Sequence, residues 1–402
     1  MKPNVLHLID SFHQGGTERQ AVQLARLLHE SGLYRVHVAC LKREGVLLDE
    51  VSRLELGEIL EFPLNSFYDR NMLRQIQRFT QFVKEREIDV LHTHDFYTNI
   101  FGMAGSVSAR LPVARIASRR ETGGMFSGAQ KFIQRRALKR AHKIVTNAEA
   151  VRQGLIKEGF RADKIVTIYN GLDIERLTPR ADLPREELLA KLQLNSAAGK
   201  RLVTIVANMR HAVKDQQTFL RAARRVREQV SDTAFVLAGE GELMESLKAF
   251  AAELGLEKDA FFTGRCAQVA ELLSVSEICV LSSTSEGFAN SILEYMAAAR
   301  PVVVTDVGGA REAVTEGETG YIVSPGDDEA MAARIISLLN DPARAREMGR
   351  NGRRMVGEKF SCEAQLARTV ELYEKLLATA RVKKSARQDS VAESHEATLI
   401  ER

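Results

Sequence analysis

The sequence predicts an α/β protein made of two doubly wound domains, each a parallel sheet with helices on both faces. Two observations carry this expectation. Short apolar runs alternate with longer amphipathic ones along most of the 402 residues, the pattern of strands joined by crossover helices. The alternation also comes as two series, separated over 173–200 by a stretch with Pro179, Pro184 and Asn195-Ser196-Ala197-Ala198-Gly199 in which the periodicity weakens. A chain of this length exceeds what one hydrophobic core supports, so two cores of ordinary size are expected.

In the first series Val5 to Ile9 reads as a strand, Arg19 to Glu30 as an amphipathic helix and Val36 to Leu41 as the next strand. Leu73 to Arg86 has helical periodicity, while Asp89 to His92, Ala114 to Ala117, Lys143 to Thr146 and Ile165 to Ile168 are strand-like. These define a first domain over 1–172. In the second series the strand candidates are Leu202 to Ala207, Ala234 to Ala238, Phe261-Phe262, Ile278 to Leu281, Pro301 to Thr305 and Tyr321 to Val323. They define a second domain over 201–359, with 173–200 as the linker. Beyond it, 360–380 is amphipathic, with Leu366, Val370, Tyr373 and Leu377 on one face, and is expected to return to the first domain. Residues 385–402 are charged and aperiodic, which predicts disorder. Open parallel sheets bind ligands outside the carboxyl ends of their strands, so the two domains are expected to face each other across a ligand cleft.

Composition narrows the function classes. A net charge of +4 is slight for this length and does not point to nucleic acid. Cys40, Cys266, Cys279 and Cys362 form no C-x-x-C pair, so neither a zinc site nor a disulfide framework is indicated. No stretch approaches the roughly 20 apolar residues of a membrane span, and Val5 to Ile9 is too short for a signal-peptide core. A cytoplasmic protein is expected, soluble or peripheral to the inner face of the cytoplasmic membrane.

The chemistry-bearing segments cluster after strand candidates. Ser283-Thr284-Ser285-Glu286-Gly287-Phe288-Ala289-Asn290-Ser291-Ile292-Leu293-Glu294 places two carboxylates eight positions apart around a glycine turn and a helix start. Eight residues of helix would rise about 12 Å, enough for the two acids to reach separate parts of an elongated ligand, with helix-start amides favouring an anion between them. The plainer reading is a capping box of Ser291 and Glu294 beside a solvated Glu286. After Leu202 to Ala207 come Arg210 and Lys214, a planar fork and a point charge suited to a diphosphate. A surface pair of Lys214 with Asp215 is the ordinary alternative. Gly239-Glu240-Gly241-Glu242 and Asp306-Val307-Gly308-Gly309 are glycine turns at the same predicted sheet edge, serving either close ligand approach or a tight turn.

In the first domain Asp10-Ser11-Phe12-His13-Gln14-Gly15-Gly16-Thr17-Glu18 opens a helix but lacks G-x-G-x-x-G, which disfavours a nicotinamide enzyme. The loop suits a phosphate or sugar at the helix start, or a plain turn. His92-Thr93-His94-Asp95 supplies two histidines on one side of a strand and too little else for a metal site. Hydrogen bonding or loop structure is the expectation there. Lys131 to Lys143 carries Lys131, Arg135, Arg136, Lys139, Arg140 and Lys143 with no acid, fitting either an anionic lipid surface or a solvated helix face.

The ordered set Gly15-Gly16-Thr17-Glu18, Tyr169-Asn170-Gly171-Leu172-Asp173, Arg210 and Lys214, Gly239-Glu240-Gly241, Glu286 to Glu294 and Asp306-Val307-Gly308-Gly309 resembles the retaining glycosyltransferases of family 4, which have the GT-B fold. The resemblance extends to about Leu377. It implies an enzyme moving a sugar from a nucleoside diphosphate sugar, UDP by default, to a glycan or lipid-linked acceptor in cell-envelope or exopolysaccharide assembly, with no metal or other cofactor. It also implies that Glu286 contacts sugar hydroxyls beside the backbone of Gly287, Phe288 and Ala289, with Asn290 at the helix start, and that Glu294 binds ribose. Arg210 and Lys214 would hold the diphosphate as catalytic cations, with Gly239 and Glu240 near the donor and Gly16 beside its phosphate. The acceptor side would include Gly15, Thr17, Glu18 and His94. Many relatives carry a histidine where this chain has Ser118-Arg119-Arg120-Glu121, so Arg119 or Arg120 is expected either to bind an acceptor phosphate or to pair with Glu121. Attack is expected on the face the leaving group departs from, giving retention. A nucleotide-sugar epimerase and a non-catalytic sugar-nucleotide sensor share the architecture.

Overall fold

The computed structural model describes residues 2–13, 15–64, 66–67, 69–121, 126–177 and 183–379. The chain forms two compact units, one of residues 1–147, 152–169 and 365 onward, the other of 148–151 and 170–364. Both are parallel α/β sheets, as expected.

The first unit's strands are β1 (Asn4–Ile9), β2 (Arg35–Cys40), β3 (Leu60–Glu61), β4 (Val90–Thr93), β5 (Ala114–Arg119), β6 (Lys143–Thr146) and β7 (Ile165–Thr167), in the spatial order β3-β2-β1-β4-β5-β6-β7. Alternate residues of β1 face opposite cores. Leu6 and Leu8 pack with Phe79, Leu91 and Phe101, while Val5 and Ile9 pack with Val22, Val36, Leu372 and Tyr373. The last two lie on a helix over 362–379, and from 365 onward that helix belongs to this unit. The two-residue strand β3 gave no periodic signal in the sequence.

The second unit's strands are β8 (Arg201–Val206), β9 (Thr233–Ala238), β10 (Ala260–Gly264), β11 (Ser276–Leu281), β12 (Val302–Thr305) and β13 (Gly320–Val323), ordered β10-β9-β8-β11-β12-β13. All pairings in both sheets are parallel. The order reverses beside β1, which lies between β2 and β4, and beside β8, which lies between β9 and β11. A crevice opens at such switch points because neighbouring connections leave to opposite faces. The loops after β1, β4, β8 and β11 are therefore the positions the fold prepares for a ligand.

The connector expected over 173–200 is structured where described. Arg185–Lys191 is a helix, and Leu188, Leu189, Leu192, Leu194 and Ala197 are buried against Leu202, Ala234 and Val236. Burial of these apolar side chains places 183–200 inside the second unit. The expected disorder of 385–402 lies outside the described residues, as do 178–182 of the connector.

Candidate functional site

In the second unit, the loops after β8 and β11 are latched together by one backbone and one serine hydroxyl hydrogen bond before any side-chain charge is considered. The amide of Thr284 donates to the carbonyl of Val213 at 2.8 Å, and the Ser282 hydroxyl donates to the carbonyl of Lys214 at 2.9 Å. Asp215, at φ 44°, caps the helix Gln216–Gln229 through Thr218. Its carboxylate is thus used locally, and Lys214 turns elsewhere. Lys214 Nζ lies 2.6 Å from Glu286 Oε1. The same oxygen accepts from Ser283 Oγ at 2.7 Å. The pair is mostly buried, with side-chain exposures of 21% and 14%, so each charge is shielded from water and held by the other. The alternative surface pair of Lys214 with Asp215 is replaced by this contact.

Arg210 is more open. Its side chain is 56% exposed, with a guanidinium nitrogen 3.7 Å from Glu240. The glycines at 239 and 241 explain how these loops approach. With φ of 154° and 153°, a Cβ on Gly239 would lie 1.9 Å from the carbonyl oxygen of Ala207, and one on Gly241 would lie 2.3 Å from the backbone of Met209. Hydrogen bonds from Ala207 N to Ala238 O and from Met209 N to Glu240 O, both 2.9 Å, close the seam. These glycines allow backbone to pack on backbone.

Glu286 and Gly287 are held from the loop after β12. The Gly309 amide donates to the Gly287 carbonyl at 2.8 Å, and a Cβ on Gly308, at φ 52°, would lie 2.2 Å from the Glu286 carbonyl oxygen. Phe288 and Ala289 are buried. The helix that follows is Asn290–Ala297, with Ala289 at its N-cap and no side-chain cap. Ser291 is therefore inside the helix, and the capping box read from the sequence does not form. Only Asn290 to Glu294 of the interval between the acids is helical, a rise of about 6 Å rather than the 12 Å of a continuous helix. Asn290 Oδ1 accepts from Asn170 Nδ2 at 2.6 Å. Sequence reading missed Tyr295, whose wholly buried hydroxyl accepts from the Val206 amide at 2.7 Å and ties this helix to the end of β8. It also did not single out Ser283, three positions before Glu286; that spacing was its one available signal.

The first unit presents a different chemistry. Gly15 is the N-cap of the helix Gly16–Glu30, with Gly16 exposed and Thr17 half-buried. The Glu18 carboxylate lies over Gly15, where an added Cβ would meet it at 2.1 Å. Burial raises the Glu18 carboxyl, and the negative charge of Asp10 raises it further. Asp95 caps the helix Phe96–Ser108 in a capping box with Thr98, and burial pushes its carboxyl up to about 7. Arg120 is brought down to about 10 by burial, with Glu18 and Glu121 acting in the opposite sense.

Arg119 does not stand ready for a ligand. It is 5% exposed and makes a bidentate ion pair with Glu158 at 2.7 and 2.8 Å. The glutamate expected as its partner, Glu121, also pairs with it, at 3.7 Å, and its carbonyl accepts from Arg119 Nε at 3.3 Å. Arg119 thus takes the ion-pair alternative read from the sequence, with Glu158 added to Glu121, while the charges of Glu18 and Glu121 act on Arg120.

His7, His92 and His94 form a buried cluster on one face of the sheet, with one nitrogen of each within 4.8 Å of the others. His7 Nδ1 is 2.9 Å from His94 Nε2. His92 is engaged at both nitrogens, by Tyr373 at 2.7 Å and Ser118 at 2.8 Å. The rings of His92 and His94 are stacked at 4.4 Å and 22°, and those of His7 and His94 at 5.1 Å and 16°. The rings of His7 and His92 are tilted at 38° with centroids 5.5 Å apart, and the buried His7 Nε2 and His94 Nδ1 make no hydrogen bond among the described residues. The cluster is a hydrogen-bonded stack. Burial lowers all three pKa values, that of His7 to about 3.

This has a measurable consequence. The unfolded chain takes up a proton on His7 below its ordinary value of 6.5, whereas the folded chain does not until about pH 3. Stability from this group is intact above pH 6.5 and is lost as pH falls through that window. The stability difference between wild type and His7→Asn is expected to shift against wild type by about 1.4 kcal/mol per pH unit between roughly pH 6 and 4. Denaturant titrations of both proteins across this range read the slope, and the difference cancels the opposing contribution of Asp95.

The helix Gly128–Arg140 is capped by Ser127 and Gln130. Lys131, Arg135, Arg136, Lys139 and Arg140 are exposed. Phe132 is 59% exposed beneath the guanidinium of Arg136. Among the described residues, no helix is long and apolar enough to cross a membrane.

Two family profiles match this chain: one described as Glycosyltransferase Family 4 over residues 14–176 and one described as Glycosyl transferases group 1 over 188–355. The chain is 31% identical to EpsD of Bacillus subtilis (strain 168) and to N-acetyl-alpha-D-glucosaminyl L-malate synthase of Bacillus anthracis, spanning 55% and 58% of those proteins and 54% and 56% of itself. It is 25% identical, over 89% of itself and 93% of the relative, to the UDP-Gal:alpha-D-GlcNAc-diphosphoundecaprenol alpha-1,3-galactosyltransferase of Escherichia coli. Among solved structures, Anabaena Alr3699/HepE in complex with UDP superposes with a TM-score of 0.80 at 21% identity, covering 93% of this chain and 100% of that one. The likeness identifies the fold as GT-B.

Proposed function

We propose, from the premise that this chain belongs to the family 4 glycosyltransferases, that it transfers a hexose from a UDP-sugar to a glycan or lipid-linked acceptor with retention of configuration. The observation that carries this reading is the Lys214–Glu286 pair, shielded from water and buttressed by Ser283 at the switch point of the second sheet. On binding, a diphosphate draws Lys214 to its oxygens, and the carboxylate of Glu286 is released to accept hydrogen bonds from sugar hydroxyls. Arg210 adds its fork to the diphosphate, and the helix start at Asn290 and Ser291, which no side chain caps, is assigned to the same charge. Glu294, one turn further along the helix, takes the ribose.

The reaction moves charge onto the leaving diphosphate while the anomeric carbon becomes oxocarbenium-like. Fixed cations stabilise that state more than the ground state, which is the condition for acceleration. The protein's own cations do this work in the proposal, so no divalent metal is called for. The leaving phosphate takes the acceptor proton. Acceptor binding is assigned to the first unit, around Gly15, Thr17, Glu18, His94 and Arg120. The alpha-1,3-galactosyltransferase similar to this chain is named for a diphosphoundecaprenol-linked acceptor, and the exposed basic helix with Phe132 suits an anionic membrane surface where such a lipid resides. The protein is placed, in this reading, at the inner face of the cytoplasmic membrane in envelope or exopolysaccharide synthesis.

Thermal unfolding against a panel of nucleoside diphosphate sugars tests the proposal. A donor at one hundred times its Kd stabilises by about 2.7 kcal/mol, roughly a 5–10 °C rise in Tm for a unit of this size. UDP-sugars are expected to give that rise and purine nucleotide sugars less. No response to any member would refute donor binding.

A further inference from the structure

We propose that Tyr373, His92 and Ser118 form a positioning chain that fixes the acceptor-side end of β5; the assignment of that end to the acceptor rests on the function proposed above. Tyr373 is wholly buried on the helix over 362–379. Its hydroxyl lies 2.7 Å from His92 Nδ1, and His92 Nε2 lies 2.8 Å from Ser118 Oγ. Ser118, next to last in β5, is gripped a second time, since its carbonyl accepts from Asn99 Nδ2 at 2.8 Å. Asn99 Oδ1 in turn accepts from Thr93 Oγ1 at 2.5 Å. One step along the chain, Arg119 is locked to Glu158, and the Arg120 amide donates to Glu121 Oε2 at 3.1 Å. Gln134 holds the other oxygen of Glu121 at 3.0 Å. Every bond in this path is within the first unit.

A neutral imidazole has one donor nitrogen and one acceptor nitrogen. The two hydroxyls on His92 must therefore take opposite roles: one donates into the ring and the other accepts from it. Tyr373 thereby sets the direction in which the Ser118 hydroxyl points its proton. His92 is kept neutral by its burial, with His7, His94 and the Arg120 guanidinium as the titratable and charged neighbours that act on it. Because the path runs within the first unit, its effect is assigned to the acceptor half of the reaction.

The test uses full-length wild type, Y373F, S118A and S118T. Amide hydrogen exchange of the segment 118–121 is followed by mass spectrometry, and UDP affinity by titration calorimetry. Exchange in that segment is expected to quicken roughly 3- to 10-fold in Y373F and S118A, the factor for one lost buried hydrogen bond. S118T, which keeps the hydroxyl, stays near wild type, and UDP affinity stays within about twofold across the set. Unchanged exchange in Y373F, or acceleration spread evenly over β1, β4 and β5, overturns the proposal. With a GlcNAc-diphospholipid acceptor, a raised acceptor KM at near-constant kcat supports it, and a fall in kcat alone contradicts it. UDP failing to bind any of the four proteins would count against the function reading, while the exchange arm still decides the positioning chain.

Discussion

Lys214→Ala is expected to lower kcat/KM for sugar transfer by roughly 30- to 1,000-fold, a loss of about 2–4 kcal/mol of transition-state stabilisation. The magnitude follows from two effects in the same direction. The substitution removes the cation that meets the charge growing on the diphosphate, and it leaves the Glu286 carboxylate, 14% exposed, without its 2.6 Å partner. Relative to the ground state the first effect grows along the reaction coordinate, so kcat should fall along with donor affinity. Lys248→Ala gives the control. Lys248 makes a comparable 2.9 Å pair with Glu245, but in the open, at 45% and 82% exposure, where such pairs contribute little. Steady-state kinetics of both variants separates the general loss of a lysine from loss of this one.

Gly308→Ala is the second large effect, and it acts through backbone rather than charge. An alanine at φ 52° meets the intrinsic strain of the left-handed region, and its Cβ would lie 2.2 Å from the Glu286 carbonyl oxygen and 2.5 Å from that of Gly287. Backbone cannot step aside as a flexible side chain can. The loop carrying Glu286 must shift, at a cost of about 2–4 kcal/mol from strain and overpacking together. Gly317→Ala isolates the strain, because Gly317 also has positive φ, at 77°, but no atom within 4 Å of a new Cβ. Thermal unfolding should place Gly308→Ala roughly 5–15 °C below wild type and Gly317→Ala only a few degrees below it. UDP binding should weaken in the first variant alone.

The strands were legible because parallel strands covered on both faces are short continuous apolar runs, and Val302 to Thr305 or Thr233 to Ala238 can be read that way without a partner in view. Contacts made by the topology were not. Lys214 and Glu286 are separated by 72 positions and meet because β8 and β11 are neighbours, so local spacing favoured Asp215 as the lysine's partner. Arg119 finds Glu158 at a separation of 39 in addition to the nearer Glu121, which local spacing did supply. The Ser291 and Glu294 spacing fits a capping box, but loop packing under Gly308 and Gly309 starts the helix at Asn290, two residues too early for Ser291 to cap it. Pro184 and the polar run after Leu194 disguised as a connector a helix that docks Leu188 and Leu189 on the second unit's core. Except at Arg119, a local rule lost to a tertiary contact, and the departures concentrate where the loops of the candidate site are assembled.

The claim that the second unit holds a nucleoside diphosphate sugar on its own cations is tested most directly by calorimetric titration of UDP-glucose into wild type and Lys214→Ala, each in the presence of EDTA. The account predicts saturable binding to one site in wild type without any divalent metal, and at least tenfold weaker binding in the variant, the loss of one charge-assisted contact. Binding that vanishes with EDTA, or equal affinity in the two proteins, would contradict it.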